Sequence, residues 1–592
     1  MTQKVIPFSR WGTVGLIVPS FFIYVWGFGY GFTEIDDGGQ VLQNQAVLNL
    51  SWESIKIMFT TSVVKMYQPI TSLNLSFLVA IFGIESATSF HVFSYLVHAL
   101  NTMLVFYVAV SLVQDRSKAV LIALLFSVHP LRVESVAWIS ATSTILFTFF
   151  FLLAMWFYIL YLNKGHLIFY GLSLLAFIFG GFSKVLVVPF LGVMILLDVY
   201  WGRSFKNWRI IGEKVPFILM MGFFSYMALH FRAGNNGFPG YPYDPSLMSP
   251  IQVVWYPIKT LLPFQLSVLY DWPPELGGLD QILGYGLCAL FLGSLYIGRR
   301  SKLYVFGILF YLGLIVLHTS LVSSFLAPFS DRYAYLSTLG LLLAWVGIIP
   351  QETFQRVGRY VGWGLTAIFF GLSVKQIKVW QSTESVWSNN LLHQSATFSN
   401  GMRGAIYYQR RDFGRALEDF TKVAENPDSR LDPEKYAFLY NGLGVMNADK
   451  DPDKALEYFK KAASFAPGSS SYTNLARMQA KAGDFKGAEE VLRKVIENEP
   501  QNTAAYDQLV GLLFGQGKFQ DLLPLMDQLV ELAPDSYLNF KRRAYILLKL
   551  NRLPEARQDV DRAHTIMKGM GVDPSQDLQL NEVKNLLEMK GM

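Results

Sequence analysis

The chain divides into two stretches that differ in the spacing of hydrophobic and polar residues. Up to about residue 380, long apolar runs alternate with short polar loops, which predicts an all-α membrane body. A helix needs about 20 apolar residues to cross a bilayer. By this measure the sequence predicts eleven spans, at roughly 11–30, 91–113, 118–131, 138–162, 167–182, 185–201, 214–231, 281–298, 303–324, 332–350 and 359–376.

Three further apolar segments are too short or too interrupted to cross. The stretch 70–84 includes Asn74, and the stretch 250–263 contains three prolines. The segment 51–66 places its apolar residues on one helical face, which is typical of a helix that lies in the membrane surface. We therefore predict a long outer loop over 31–90 that carries two surface helices, and we assign 250–263 to the same interface.

The second stretch has the period of a helical repeat. Small apolar residues recur at steps of 33 or 34, at Ala455, Ala488, Leu522 and Ala556. This pattern resembles tetratricopeptide repeats and predicts an α-solenoid of about five helix pairs over 397–567, with a capping helix near 576–590. Such a solenoid offers a concave groove to a protein partner. The alternative is an appendage that stabilises or dimerises the membrane body.

Charge separates the two stretches as clearly as hydropathy does. Of the 94 charged residues, 39 lie in 1–390 and 55 in 391–592. We predict a transmembrane domain over 1–378 and a repeat domain over 391–592. The net charge of +6 comes from short basic clusters between apolar runs, which argues against nucleic acid as a partner. The single cysteine, Cys288, excludes a disulfide framework.

Basic residues in the short loops predict the orientation. Lys and Arg cluster in alternate loops, whereas the opposite loops carry Glu34, Asp36, Asp37, Glu53 and Glu85. Because cytoplasmic loops are the basic ones, the N-terminus is predicted to be cytoplasmic and the first span to be an uncleaved anchor. An odd number of spans then places the repeat domain in the periplasm, in a protein of the bacterial inner membrane.

An acidic pair, Asp36 and Asp37, follows the first predicted span. Carboxylates this close to hydrocarbon are costly and therefore indicate a function. Adjacent side chains on irregular backbone point in different directions, so we expect one carboxylate to face a site and the other to brace it. The alternative is a solvated loop that caps the next helix.

Three ionisable residues, His129, Arg132 and Glu134, lie together at the outer end of the third predicted span. Pro130 ends the helix there. Such a cluster at membrane depth indicates a site. An internal salt bridge between Arg132 and Glu134 would also account for it.

His91, His98 and Asn101 share one face of the second predicted span. A polar stripe of this kind either supports a site or joins helices by hydrogen bonds, and the second use is the more common. The sequence contains no HExxH motif, no Cys/His zinc spacing and no Walker loop. We predict no metal-ligand set and leave assistance by a divalent cation open.

Cations also lie at the outer ends of the predicted spans, namely Lys184, Arg232 and Arg332, with Asp331 beside the last. Cations at the membrane boundary suit the phosphate of a lipid whose tail lies in the bilayer. Each of them singly would equally serve as a helix-end anchor.

In their order along the chain, these motifs resemble those of the bacterial relatives of the transmembrane and tetratricopeptide-repeat-containing O-mannosyltransferases, which are C-type membrane glycosyltransferases. The resemblance covers essentially the whole chain, and the block that begins at His129 is its most specific part. The motifs are Asp36-Asp37, Tyr67-Gln68-Pro69-Ile70, His91 with His98 and Asn101, His129-Pro130-Leu131-Arg132-Val133-Glu134-Ser135-Val136-Ala137-Trp138, Ser183-Lys184 and Asp331-Arg332-Tyr333-Ala334-Tyr335-Leu336.

The resemblance implies a polyprenyl-phosphate-linked sugar as donor substrate, no certain cofactor, and transfer to protein hydroxyls on the outer face of the membrane. It implies Asp36 as the base and Asp37 as its partner, and single displacement predicts inversion at the anomeric carbon. The residues expected to bind the donor phosphate are Arg132, Lys184, Arg332 and Arg232. Those expected to support the site are His129, Glu134, His91, His98, Asn101, Asp331 and Tyr335.

Two other functions stay open from the sequence. The chain would act as a non-catalytic membrane anchor if its repeat groove assembled an envelope complex and its transferase body were inactive. A polysaccharide polymerase or ligase would use the same lipid-linked sugars, although a protein-binding groove has no obvious role in that reaction.

Overall fold

The computed structural model describes residues 10–64, 66–233, 245–270, 278–320, 322, 328–393, 397–427, 431–466 and 470–590. Within these ranges the protein is all-α, and no β-strand is present. Residue contacts divide the chain into two units, Met1–Ser399 and Asn400–Met592. The boundary lies slightly later than the start at 391 that the sequence predicted.

The first unit is built of helices joined by short turns. Those of nine residues or more are α1 (Arg10–Tyr24), α2 (Trp52–Thr60), α3 (Pro69–Phe82), α4 (Thr88–Val113), α5 (Arg116–Val128), α6 (Thr142–Lys164), α7 (Leu167–Ser183), α8 (Pro189–Tyr200), α9 (Val215–Ala233), α10 (Pro245–Leu261), α11 (Gly278–Ile297), α12 (Lys302–Ile315), α13 (Ala334–Ile348), α14 (Arg359–Ile377) and α15 (Thr383–His393). The segments predicted as surface helices form α2, α3 and α10.

The number of membrane-spanning helices differs from the prediction of eleven. Five described helices are long and apolar enough to cross a membrane: Thr88–Val113, Ile139–Lys164, Trp208–Phe231, Gly278–Arg300 and Gln351–Gln381. A bent pair, α5 with Pro130–Ala137, makes a sixth if it is counted as one span. Other predicted spans form apolar helices of only 12 to 17 residues, such as α7, α8 and α12, which lie at or below the lower end of the usual length of a membrane span.

A sharp bend after α5 brings polar residues into the interior of this unit. Pro130 has no backbone N–H to continue the helix, and the chain enters a 3₁₀ turn, Pro130–Arg132, followed by the short helix Val133–Ala137. The axis turns by 56° at this break. The bend carries Glu134 toward the start of α13.

Helices α12 and α13 pack so closely that their backbones meet at two glycines. A Cβ atom added to Gly340 would lie 2.3 Å from the carbonyl oxygen of Gly307, and the reverse substitution would give 2.4 Å. The side chains at the end of α12 and at the start of α13 line the same cavity, so this contact fixes two of its walls.

We predict that Gly340→Ala destabilises the protein, because neither backbone can move away from a new methyl group without unpacking the helix pair. Overpacking of this kind typically costs about 1–3 kcal/mol. The measurement is thermal stability in detergent by size-exclusion chromatography with fluorescence detection. The matched control is Gly313→Ala on α12, where an added Cβ meets no atom within 4 Å. Equal stability of the two variants would contradict the close packing.

The second unit contains the five predicted helix pairs and the capping helix. They are α16 (Thr397–Gln409), α17 (Phe413–Glu425), α18 (Pro433–Asn447), α19 (Pro452–Phe465), α20 (Ser470–Lys481), α21 (Phe485–Asn498), α22 (Thr503–Gly515), α23 (Phe519–Leu532), α24 (Tyr537–Lys549), α25 (Leu553–Gly569) and α26 (Leu578–Lys590). The periodic residues Ala455, Ala488, Leu522 and Ala556 are all fully buried.

Candidate functional site

The two carboxylates of the first loop have different surroundings. Asp37 is only 1% exposed, and its Oδ2 accepts hydrogen bonds from the backbone N–H of Thr33 at 2.7 Å and from the Thr33 hydroxyl at 2.9 Å. Its Oδ1 accepts from the Ser140 N–H at 2.9 Å and from the Ser140 hydroxyl. Asp37 thus fastens the loop to the turn before α6, whereas Asp36 is partly exposed.

Burial raises the pKa of the Asp37 carboxyl group, and the four hydrogen bonds from Ser140 and Thr33 oppose that rise. A carboxylate that accepts this many hydrogen bonds has little capacity left to accept a proton from a substrate. The geometry therefore favours Asp36 over Asp37 as a group that can act on a ligand.

Glu134 forms a buried ion pair with Arg332 across 198 residues of sequence. Its Oε1 lies 2.7 Å from an Arg332 nitrogen and accepts a second hydrogen bond from the Ser330 hydroxyl at 3.0 Å. The Glu134 side chain is 2% exposed and that of Arg332 is 27% exposed. Glu134 pairs with Arg332, so the alternative of an internal salt bridge with Arg132 does not describe this fold.

Arg132, which the sequence places among the residues that bind the donor phosphate, is enclosed by protein and does not line the cavity described below. The residue is 0% exposed, and its two terminal nitrogens donate to the Ala334 carbonyl at 2.6 Å and to the Thr338 hydroxyl at 2.7 Å. Its guanidinium lies 4.5 Å from the ring centre of Phe126. Arg132 joins the bend after α5 to the first turns of α13. The side chain of Arg232 lies outside the described residues.

The polar stripe on α4 joins helices. His98 Nδ1 lies 2.7 Å from the Tyr335 hydroxyl, and its Nε2 lies 3.0 Å from the Ser127 carbonyl oxygen. Asn101 donates to the Tyr335 hydroxyl at 3.2 Å and to the Ile145 carbonyl at 3.0 Å. The buried amide of Asn101 and the imidazole of His98 thus connect α4 to α5, α6 and α13. This is one of the two roles that the sequence left open for the stripe, namely joining helices by hydrogen bonds.

Two further predicted site residues, His129 and His91, are buried inside the protein. His129 Nε2 lies 2.9 Å from the Thr260 carbonyl oxygen, and its ring packs against Phe369 with ring centres 4.5 Å apart. His91 is buried. Neither residue lines the cavity described next.

A small cavity of about 30 Å³ lies between the ends of several helices of this unit. Its polar lining includes two of the predicted cations, Lys184 and Arg332, together with Thr144 and His318. Lys184 follows α7 and donates to the Thr144 hydroxyl of α6 at 2.9 Å. Phe147, Leu186, Leu314, Leu317 and Leu336 supply apolar walls. The cavity therefore combines positive charge with a hydrophobic surface.

The charges at the cavity influence one another. Burial, with a further contribution from Arg332, lowers the pKa of Lys184 to about 7. Burial by itself lowers the pKa of Arg332, but Tyr333 and Glu134 raise it above its ordinary value overall. The negative charge of Asp36 also raises the pKa of Arg332, so the two side chains interact electrostatically. Such a site suits an anion that is bound beside a carboxylate.

Asp331 lies behind Arg332 and away from the cavity lining. It is 2% exposed, and its Oδ1 accepts a hydrogen bond from the Tyr270 hydroxyl at 2.8 Å. Burial and the nearby Glu134 carboxylate raise the pKa of Asp331 well above its ordinary value. Asp331 supports the turn that carries Arg332.

Sequence reasoning missed four polar residues of the cavity: Thr144, Thr148, His318 and Ser337. Thr144 and Thr148 lie in an apolar helix, and His318 falls inside a predicted span. The His318 ring stacks on Tyr333, with ring centres 4.1 Å apart. The sequence shows His318 as an isolated histidine in an apolar run. It does not show that the folded chain brings this residue to the cavity. Among the described residues, no group of three or more His, Cys, Asp or Glu is arranged to hold a metal ion.

Comparisons with known proteins identify the repeats. Two tetratricopeptide-repeat family models match residues 402–470 and 446–513. The chain is also similar to mouse tetratricopeptide repeat protein 21A, with 26% identity over 128 residues, which are 22% of this chain and 10% of that protein. The second unit therefore contains tetratricopeptide repeats, and the chain spans about a tenth of the length of this curated relative.

The chain is also similar to solved structures. One is YrrB, described as a TPR protein with an unusual peptide-binding site, at 17% identity and a TM-score of 0.29, covering 34% of this chain and 99% of that one. Another is MamA, at 17% identity and a TM-score of 0.25, covering 28% of this chain and 96% of that one.

We predict that Asp37→Asn lowers stability while Asp36→Asn does not. The carboxylate of Asp37 now accepts hydrogen bonds from N–H and hydroxyl donors, and the amide nitrogen of asparagine would be a donor that faces these donors. A buried donor without an acceptor costs about 1–3 kcal/mol of folding free energy. The measurement is the thermal unfolding midpoint of both purified variants in the same detergent. If the two variants unfold at the same temperature as the wild type, Asp37 is not the brace.

Proposed function

We propose that the first unit is a membrane glycosyltransferase that moves a sugar from a polyprenyl-phosphate donor to a hydroxyl group of a protein. One observation carries the proposal. Lys184 and Arg332 line the same cavity, and Asp36, a partly exposed carboxylate, acts electrostatically on Arg332. A phosphate site beside a base is what transfer from a phosphate-linked sugar requires.

The two cations would stabilise the leaving group. When the bond between the anomeric carbon and the phosphate oxygen breaks, negative charge develops on the lipid phosphate. Fixed cations in a water-poor site stabilise such developing charge without having to reorganise. Arg332 is held in place by Glu134 and Lys184 by Thr144, so both are oriented before the substrate arrives.

Asp36 would supply the base. The acceptor hydroxyl oxygen attacks the anomeric carbon, its proton passes to the Asp36 carboxylate, and the polyprenyl phosphate leaves with the bonding electrons. A single displacement of this kind inverts the anomeric configuration. Asp37 would keep the loop fixed through Thr33 and Ser140, so that the neighbouring carboxylate stays near the cavity.

The apolar helices support a membrane location for this reaction. We place the cavity on the outer face of a bacterial inner membrane, because the basic loops of the sequence mark the opposite side as cytoplasmic. A lipid tail would lie in the bilayer while its phosphate reaches Lys184 and Arg332. Tetratricopeptide repeats generally bind proteins, and the repeat unit would accordingly bind the acceptor protein in the periplasm.

A membrane-anchored scaffold is the second candidate, and the repeat matches over 402–513 favour it. A scaffold would need the repeat groove but not the cavity charges. Substitutions at Asp36 and Lys184 therefore separate the two functions, since they would leave a scaffold unchanged.

We predict that Asp36→Asn lowers transfer by about 10²–10⁴-fold, which is the usual contribution of a general base. The assay measures transfer of a radiolabelled sugar from a polyprenyl-phosphate donor to envelope protein in membranes. The control is Glu53→Gln, an acidic residue of the same outer loop on the surface helix α2. Full activity in Asp36→Asn would exclude this base.

We predict that the KM for the donor rises with pH above about 7. Lys184 has a pKa lowered to about 7, so it is a cation below that pH and loses its charge as the pH increases. Above pH 7, binding of a phosphate must therefore be accompanied by uptake of a proton, and the KM should rise by up to about tenfold per pH unit. The measurement is the donor KM of the wild type at pH 6, 7, 8 and 9.

The control for this pH dependence is Lys184→Arg. A guanidinium stays charged over the whole range, so the donor KM of this variant should be flat with pH. A wild-type KM that does not change between pH 6 and 9, or that changes in parallel with Lys184→Arg, would contradict the role given to Lys184.

A further inference from the structure

Two side chains after the bend carry buried polar atoms that have no hydrogen-bond partner among the described residues. These atoms are Oε2 of Glu134 and the indole Nε1 of Trp138, and the two residues are 2% and 4% exposed. The Trp138 backbone N–H donates to the Glu134 carbonyl oxygen at 3.1 Å, so the residues are one helical turn apart. Side chains spaced in this way lie on the same side of a helix. An acceptor and a donor without partners are therefore neighbours.

Arg332 connects both residues to the cavity. Its Nη1 lies 2.7 Å from Glu134 Oε1, and its guanidinium lies 5.2 Å from the centre of the Trp138 ring. The same arginine lines the cavity together with Lys184. The unpartnered carboxylate oxygen and the unpartnered indole N–H thus lie beside the cation to which we assign the lipid phosphate.

The ring of Trp138 is itself in contact with protein. Trp380 stacks on it with ring centres 5.7 Å apart, and the guanidinium of Arg332 lies over it. The group that Trp138 can still offer to a ligand is the N–H at the edge of its ring, which donates and cannot accept. Glu134 Oε2 supplies the complementary acceptor.

The first loop is fastened next to this pair. Ser140, two residues after Trp138, donates its backbone N–H to the Asp37 carboxylate at 2.9 Å. The neighbouring Asp36 interacts electrostatically with Arg332. The proposed base, the proposed phosphate ligand and the unpartnered pair therefore belong to one region of the first unit.

A hydroxyl group fits this pair because it donates one hydrogen bond and also accepts. It would donate to Glu134 Oε2 and accept from the Trp138 N–H. An ionised phosphate oxygen would be repelled by the carboxylate, and an apolar group would leave both atoms unpaired. Buried polar atoms without partners cost free energy, so a ligand that pairs them gains affinity. The chemistry favours a ligand rich in hydroxyl groups.

We propose that Glu134 Oε2 and the Trp138 N–H form a subsite that binds a hydroxyl group of the donor sugar. This inference rests on the proposed function, because it places the sugar beside a lipid phosphate at Arg332. One oxygen of Glu134 holds Arg332 while the other binds the sugar. The pair contributes to sugar specificity, since a sugar without a hydroxyl at this point would leave both buried atoms unpaired.

The experiment uses the full chain in detergent and measures Kd by isothermal titration calorimetry. The four ligands are a short-chain isoprenyl phosphate and the same lipid phosphate carrying glucose, mannose or galactose. At least one sugar should lower the wild-type Kd about tenfold below that of the bare phosphate. Trp138→Phe keeps an aromatic ring and removes the N–H, so it should reduce this gain to about threefold or less.

Two further variants make the test specific. Trp387→Phe is the matched control, because it removes another buried indole N–H that has no partner among the described residues, on α15, where the ring packs against Phe398. It should bind all four ligands like the wild type. Glu134→Gln keeps one oxygen for Arg332 and places an amide N–H₂ where Oε2 was, so it should also lose the gain from the sugar.

The bare phosphate separates this inference from the proposed function. Absence of binding by all four ligands would overturn both. Binding of the bare phosphate without a gain from any of the three sugars, or a gain that Trp138→Phe retains in full, would overturn the subsite and leave the phosphate site in place. If Trp138→Phe does not fold, the same comparison with Glu134→Gln decides the outcome.

Discussion

An ion pair between the buried Glu134 and the partly exposed Arg332 connects the parts of the first unit on which the cavity depends. Burying the Glu134 carboxylate is costly, and the 2.7 Å contact with Arg332 and the hydrogen bond from the Ser330 hydroxyl offset part of that cost. It joins the bend after α5 to the turn before α13. Loss of Glu134 would leave Arg332 without its fixed partner and would displace the cation that lines the cavity.

The other charged residues of this unit have complementary tasks. Arg132 and Asp37 are buried and hydrogen-bonded inside the protein, where they hold the bend and the first loop in place. Lys184 and Arg332 line the cavity, and Asp36 is partly exposed. The buried ionisable residues thus hold the helices and loops that carry the accessible charges. Electrostatic catalysis requires charges that are held in position in this way before the substrate binds.

The fold was predictable where the sequence repeats or alternates regularly. The 33- and 34-residue steps predicted the helix pairs of the second unit, and the one-sided apolar face of 51–66 predicted α2. Only five described helices are clearly long and apolar enough to cross a membrane, fewer than the eleven predicted, because hydropathy does not reveal where a helix stops, and α8 has only 12 residues. Pairing is a three-dimensional property, so the partner of Glu134 was not predictable, and neither was the burial of Arg132. Thr144 and His318 were missed because they lie within apolar runs.

The most direct test of the account is glycopeptide mass spectrometry of envelope proteins from cells with and without this gene. Sugar transfer at the Lys184–Arg332 cavity predicts that a set of Ser- or Thr-linked glycopeptides disappears with the gene and returns when it is restored. Identical glycopeptides in both strains, under conditions where the protein is expressed, would contradict the account.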